Sequence, residues 1–401
     1  MELKKIHISD IGKVVTGKTP RTSVSENYGG DIPFLTPSDD LSHKSAPKTN
    51  KALTEQGLNE VKNCLLPPQS VCVSCIGSDL GKVVMTVEPT VTNQQFNSII
   101  PNKDFNADFV YYLMAQVGKE LNYLSKTSTA VPIINKSSFS NYEVEVPNLE
   151  TQEKIASILS SIDSKIELNR RINDNLEQQA QALFKAWFVD FEPFKDGELV
   201  DSEFGMIPKG WRVVSLGEVT KQITEKVGNR EDVTVLSPIN SGELVLSEEY
   251  FTKQVFSKDL SKYLVVNPMS FAYNPARINI GSIGLNTFDF VGCVSPVYVV
   301  FECEPNYQYF FNFFKRTATF KDEVALRSIG GVRQSLGYSD LSLIKTIYPT
   351  PDVITEFNDI YLKMKEVILR NTVQNDRFTS LRDTLLPKLM SGELKINELN
   401  S

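Results

Sequence analysis

Eight residues near the start, Gly12-Lys13-Val14-Val15-Thr16-Gly17-Lys18-Thr19, have the spacing of a phosphate-cradling loop: two glycines, then a lysine and a hydroxyl. Such a loop must leave a buried strand and open a helix at its lysine, so that backbone N–H groups face the phosphate. Here Pro20 follows at once and pushes Thr19 toward an extended conformation. Val14 and Val15 are β-branched where the loop would have to turn, and no apolar strand ending in a magnesium-binding aspartate follows. Nucleotide chemistry is disfavoured. Cys72-x-x-Cys75 is half of a zinc site by spacing, but no second pair stands at a proper distance. Two such cysteines on a strand pack as small apolar groups. Asn274-Pro275-Ala276-Arg277 shares two residues with the Asn-Pro-Pro-aromatic signature that grips an amine for methylation. It lacks the second proline and the aromatic, and no glycine-rich cofactor loop precedes it. Pro351-Asp352 and Glu393-x-Lys395 could serve a nuclease only side by side, and they flank one long predicted helix. Two histidines, His7 and His43, leave little for general-base work.

The elements that must position such residues come in two rounds. Pro68-x-Ser70 recurs as Pro268-x-Ser270, Gly81 as Gly281, Val131 as Val332 and Pro147 as Pro349. Ile11-Gly12 is matched to Leu216-Gly217, which keeps the offset between 200 and 205 residues. A period this long is two copies of a whole unit, since solenoid repeats run about 20 to 50 residues. In the first copy, β-type runs at 32–35, 71–75, 83–87 and 97–100 precede a helix over 106–126. In the second, strands at 234–237, 270–274 and 296–301 precede a helix over 306–327. Residues 1–148 and 211–350 thus read as globular units, with a connector at 191–210.

Each unit leads into a long helix, 149–190 and 351–401 with its tail. Apolar residues from Ile155 to Trp187 recur in alternating steps of four and three, a coiled-coil seam. The same seam runs from Phe357 to Leu389, with Arg382 its poorest member, and Pro387 is expected to end the helix near Leu386. Asn169 and Asn173 occupy the seam of the first helix, and Asn371 and Asn375 the matching positions of the second. Buried polar pairs fix register at some expense of stability. Antiparallel pairing would face Asn169 with Asn375 and Asn173 with Asn371. Parallel pairing would also match asparagines, but antiparallel pairing is preferred because it puts the globular units at opposite ends. About 30 residues at 1.5 Å rise make a rod of roughly 45 Å, comparable to about 13 base pairs.

The chain has 401 residues and a net charge of −7, which at first argues against a nucleic-acid binder. By segment the balance is −2 for 1–150, −4 for 151–210, 0 for 211–350 and −1 for 351–401. The globular units are therefore near neutral, and phosphate binding needs a local basic face rather than a basic total. No apolar stretch approaches the roughly 18 residues of a membrane helix. The opening MELKKIHISD has no apolar signal region, and five scattered cysteines suit a reducing compartment, so a cytoplasmic protein is expected.

Several segments resemble the specificity subunits of type I restriction–modification systems. They are the opening run from Ile11 to Pro20, Gly30-Asp31-Ile32-Pro33-Phe34-Leu35-Thr36, Ile76-Gly77-Ser78-Asp79-Leu80-Gly81-Lys82 and Pro147-Asn148-Leu149 with Gln152 and Ile155. Ile207-Pro208-Lys209-Gly210-Trp211 and the run from Leu385 to Leu394 are similar too. The resemblance implies an α+β fold: two similar target recognition domains separated by two long antiparallel helices in a coiled coil, with a pseudo-two-fold internal repeat. Each domain would read one half of a split double-stranded DNA target, and the helices would set the spacer. Two modification subunits carrying S-adenosylmethionine would dock here, joined by restriction subunits that use ATP and magnesium. This chain would itself hold no cofactor or metal and would be non-catalytic. Side chains that read bases or hold phosphates are then sought on loops. In the first unit the candidates are Lys18, Thr19, Arg21, Ser38, Lys82, Asn93, Gln94 and Lys136. In the second they are Lys226, Arg230, Arg277, Asn279, Arg327, Ser328, Arg333 and Gln334.

Overall fold

The structure, a computed structural model, describes residues 2–46, 48–77, 79–126, 133–251, 256–327 and 335–394. It forms two compact units, residues 1–171 with 370–401 and residues 172–369. Residues of 1–148 fall in the first and those of 211–350 in the second, together with the connector, while each long helix is shared between them.

In the first unit, Gly12–Thr16 lies antiparallel to Phe96–Pro101, which pairs with Val71–Ser74 and then Val83–Met85. The second sheet runs Ala52–Leu53, Tyr28–Leu35, Thr90–Thr92, Leu65–Leu66, with a parallel pair at its centre. All of Val71–Ser74 is buried because its two faces serve two cores. Val71 and Val73 face the helices, among Phe109, Met114, Ile155 and Leu159. Cys72 points the other way, with Val84 and Phe96 against Leu35 and Leu66. The period of two in strand side chains makes that division.

The second unit repeats the plan strand for strand. Thr220–Ile223, Val299–Cys303, Phe271–Tyr273 and Ile283–Leu285 form one sheet. Leu244–Leu246, Thr234–Pro238, Gly292–Val294 and Leu264–Val266 form the other, again with a central parallel pair. Lys4–His7 pairs with Glu143–Val146 in the first unit as Arg212–Ser215 pairs with Lys345–Tyr348 in the second. The repeat extends to backbone strain. Gln69 and Met269, in the matched Pro-x-Ser turns, have φ of 66° and 63°, a region non-glycine residues rarely occupy.

Three expectations are corrected. The short helix Ile8–Ile11 corresponds to Leu216–Val219, each capped by an acid at its third position, so the offset there is 208 residues. Gly12 therefore corresponds to Thr220, not to Gly217. The single helix expected over 306–327 is two, Gln308–Phe314 and Ala318–Arg327. Thr317 breaks it: its Oγ1 accepts from Phe320 N at 3.3 Å, capping the second helix. Finally, Pro387 lies inside the helix Pro351–Ser391 instead of ending it. Leu389 and Met390 beyond it are buried in the core, and that burial holds the last turn despite the missing N–H.

The other long helix is Leu149–Phe188. Within the first unit the pairing is antiparallel: Asn169 Nδ2 donates to Asn375 Oδ1 at 2.9 Å, and Asn375 Nδ2 to the Ile166 carbonyl at 3.3 Å. Within the second, Asn173 Nδ2 donates to the Ile368 carbonyl at 3.4 Å, and Phe184 packs on Phe357. Asn371 is buried. No described helix is long and apolar enough to cross a membrane.

Candidate nucleic-acid interface

In the first unit the ladder between Gly12–Thr16 and Phe96–Pro101 runs on into a turn contact. Lys18 N donates to the Thr92 carbonyl at 2.9 Å, and a Cβ on Gly17 would come within 2.1 Å of the Asn93 carbonyl. Thr19 Oγ1 then donates to Gln94 Oε1 at 2.6 Å. Lys136 arrives from the other side. Asn135 caps its short helix, Lys136–Ser140, and Ile134 N donates to the Cys75 carbonyl at 3.0 Å. Asn97 ties the groups together, accepting from Thr16 Oγ1 at 2.6 Å and donating to the Ile134 carbonyl at 3.0 Å. The Cys64 thiol registers the result. Burial pushes its pKa up, and the nearby Lys18 and Lys136 ammonium groups pull against that shift. Lys18, Thr19, Gln94 and Lys136 thus converge on one sheet end.

The other candidates in this unit have structural duties. Arg21 forks onto Glu60, with Nε at 2.9 Å and Nη2 at 2.7 Å, and these bonds hold the Glu60 carboxyl down at about 2. Asn93 is 9% exposed, and its amide bonds Gln95 twice, at 2.9 and 3.0 Å, to shape the turn. The Ser38 hydroxyl bonds that of Thr36. Lys82 pairs with Asp79 at 2.7 Å.

In the second unit the loop after Phe271–Tyr273 gathers Arg277 and Asn279, both exposed. The helix Ala318–Arg327 packs against Ile278–Ile280. Arg327 is already engaged by Glu323 at 2.9 Å and by the Leu343 carbonyl at 3.3 Å. Lys226 and Arg230 lie elsewhere, Lys226 bridged to Leu264 and Arg230 donating through its N–H to the Val227 carbonyl at 3.2 Å and pairing with Glu225 at 2.6 Å. Ser328, Arg333 and Gln334 lie outside the described residues, as do Val131 and Val332.

The motifs that suggested catalysis resolve differently. Gly12–Thr16 is a paired strand, so the phosphate-loop spacing is coincidental. Cys72 and Cys75 are buried thiols, and among the described residues no group of three or more His, Cys, Asp or Glu could hold a metal. Asn274 Oδ1 accepts from Ala276 N at 3.0 Å, so Asn274-Pro275 is a capped turn.

One cluster escaped sequence reasoning. Lys44 Nζ reaches Asp108 at 2.7 Å, Ser160 at 2.8 Å and Tyr112 at 3.3 Å. Tyr112 donates to Asp163, which also takes Arg382 at 2.9 Å. The cluster lies along a groove of about 740 Å³ beside the helix pair. It explains why an arginine stands in the seam: Arg382 answers Asp163, 219 residues away.

Residues 1–178 match the family model described as the type I restriction modification DNA specificity domain. Over 99% of its length the chain is 29% identical to the type I restriction enzyme MjaIX specificity subunit of Methanocaldococcus jannaschii, covering 94% of that relative. Over nearly its whole length the chain is thus similar to a type I restriction specificity subunit. A second relative, the HindI specificity subunit of Haemophilus influenzae, is 36% identical over 42% of this chain and 38% of its own length. The crystal structure of the type I restriction–modification S subunit from M. genitalium shares the fold, with a TM-score of 0.52 at 16% identity, covering 97% of this chain and 96% of that one.

Proposed function

We propose that this chain is a type I restriction specificity subunit, that it reads a bipartite double-stranded DNA target, one half through each unit, and that its paired helices set the number of unread bases between the halves. The observation that carries the proposal is the duplicated framework. Both units have the same strand order, while the loops at the candidate sites present different side chains: Lys18, Thr19, Gln94 and Lys136 in one, Arg277 and Asn279 in the other. Shared strands and divergent loops suit two readers of two sequences on one scaffold. The near-neutral units fit a reader whose partners supply part of the phosphate grip. Those partners are two modification subunits, docked on the helices and carrying S-adenosylmethionine, and restriction subunits that use ATP and magnesium. The complex works in the cytoplasm.

The test is a methylation map of a host carrying the assembled complex. A single motif of two defined halves around a fixed spacer is the expected result. Exchanging residues 1–148 for those of a relative should change one half only. Removing one heptad from both long helices should shorten the spacer and leave the halves intact; altered half-sites with an unchanged spacer would overturn the reading.

A further inference from the structure

The loop joining Phe271–Tyr273 to Ile283–Leu285 is built to hold its shape. Asn274 N donates to the Ser282 carbonyl at 3.1 Å, closing it, and Arg277 N to the Asn274 carbonyl at 2.9 Å. Ser282, 1% exposed, bonds the Pro238 carbonyl through its hydroxyl at 2.8 Å. The Pro275 carbonyl accepts from Leu336 N at 3.1 Å. Gly281 sits at φ +94°, where a Cβ would meet the Asn240 carbonyl at 2.6 Å. Ile278 anchors the loop in the core at 4% exposure.

The apolar residue two positions on behaves otherwise: Ile280 is 51% exposed. Its counterpart in the first unit, Leu80, is 1% exposed and part of the core. The same loop framework can therefore bury an aliphatic side chain at this point, and the second unit displays one. Displayed beside it, on the same fixed loop, is Arg277. An arginine fork matches the O6 and N7 acceptors of guanine, and the apolar feature on the major-groove edge is the thymine 5-methyl group.

Resting on the reading that the second unit contacts DNA, we infer that Ile280 is a specificity-determining residue that packs on the 5-methyl group of a thymine next to a G·C pair read by Arg277. A fixed loop suits this role, because contact with one methyl group tolerates little displacement. The first unit, with Leu80 buried, has no such contact at the matched position.

The experiment uses the complex assembled with its modification subunits and duplexes carrying the native target. The half-site of the second unit is the one that survives exchange of residues 1–148. Each thymine of that half is replaced in turn by uracil, which removes only the methyl group. One replacement should weaken binding about four-fold, the worth of one buried methyl group. With Ile280→Ala the same replacement should have no effect, and the host methylation map should relax at that base pair alone. Ile280→Ser should behave likewise. The inference is overturned if no thymine in that half responds, or if the response persists in Ile280→Ala. It is equally overturned if Ile280→Ala impairs assembly while leaving the motif unchanged, since Ile280 would then be a subunit contact. Absence of any bipartite motif with the native complex would instead sink the DNA reading beneath it.

Discussion

Lys315 is an ammonium group enclosed in the second unit, 4% exposed, its Nζ bonded to the carbonyls of Gly242 and Ile283 at 2.5 and 2.8 Å. Burial pushes its pKa down to about 7; the neighbouring Arg316 adds to that shift and Glu243 opposes it. An unfolded lysine keeps its proton to about 10.4. Between those values the unfolded chain binds more protons than the folded one, so stability should rise with pH above about 7. Below that pH both states hold the proton and the folded state bears the full penalty of burying it. Urea denaturation at pH 6, 7.5 and 9 should show this rise in the native chain and a flatter profile in Lys315→Met. Parallel profiles would mean that Lys315 stays charged where it is.

At the scale of elements, the helix seam makes its own prediction. Asn169 and Asn375 share a half-buried bond within the first unit. Replacing either by leucine strands its partner amide and should cost about 1 kcal/mol. Replacing both should cost less than the sum, measured by urea denaturation as a double-mutant cycle; strict additivity would mean the amides do not cooperate. The seam itself, the strands at 71–75 and 97–100 and the paired turns at Pro68 and Pro268 were all legible, because period and turn chemistry are local. What was not legible depends on distance along the chain. Nothing near Arg382 announces Asp163, and nothing near Lys44 announces Asp108 or Ser160. The break at Thr317 was hidden because the aromatic spacing continues across it. The candidate loop residues divide on the same ground. Lys18, Thr19, Gln94 and Lys136 converge through a sheet register, whereas Arg21 and Arg327 are claimed by acids 39 and 4 residues away. Ile280 was missed because its exposure is set by Ile278 taking the anchoring role.

Across the whole molecule, each unit fastens its sheet-rich segment to its share of the helix pair, and the two do so by different physics. The first uses polar and ionic bonds as well as aliphatic packing: Lys44, paired with Asp108, donates to Ser160, and Tyr112 donates to Asp163, which is held in turn by Arg382. The second uses rings, with Phe184 stacked on Phe313 at 5.3 Å and Phe188 edge-on to both Phe310 at 5.2 Å and Phe357 at 5.0 Å. These fastenings have different weaknesses. Cooling weakens apolar contacts, on which the second fastening depends more heavily. On chilling toward 0 °C, amide hydrogen exchange should quicken more around Phe357 than around Asp163, a gradient that mild warmth erases. A chain built on one repeated plan would then loosen unevenly in the cold, and on the proposed reading the unit carrying Arg277 and Ile280 would be the first to lose discrimination.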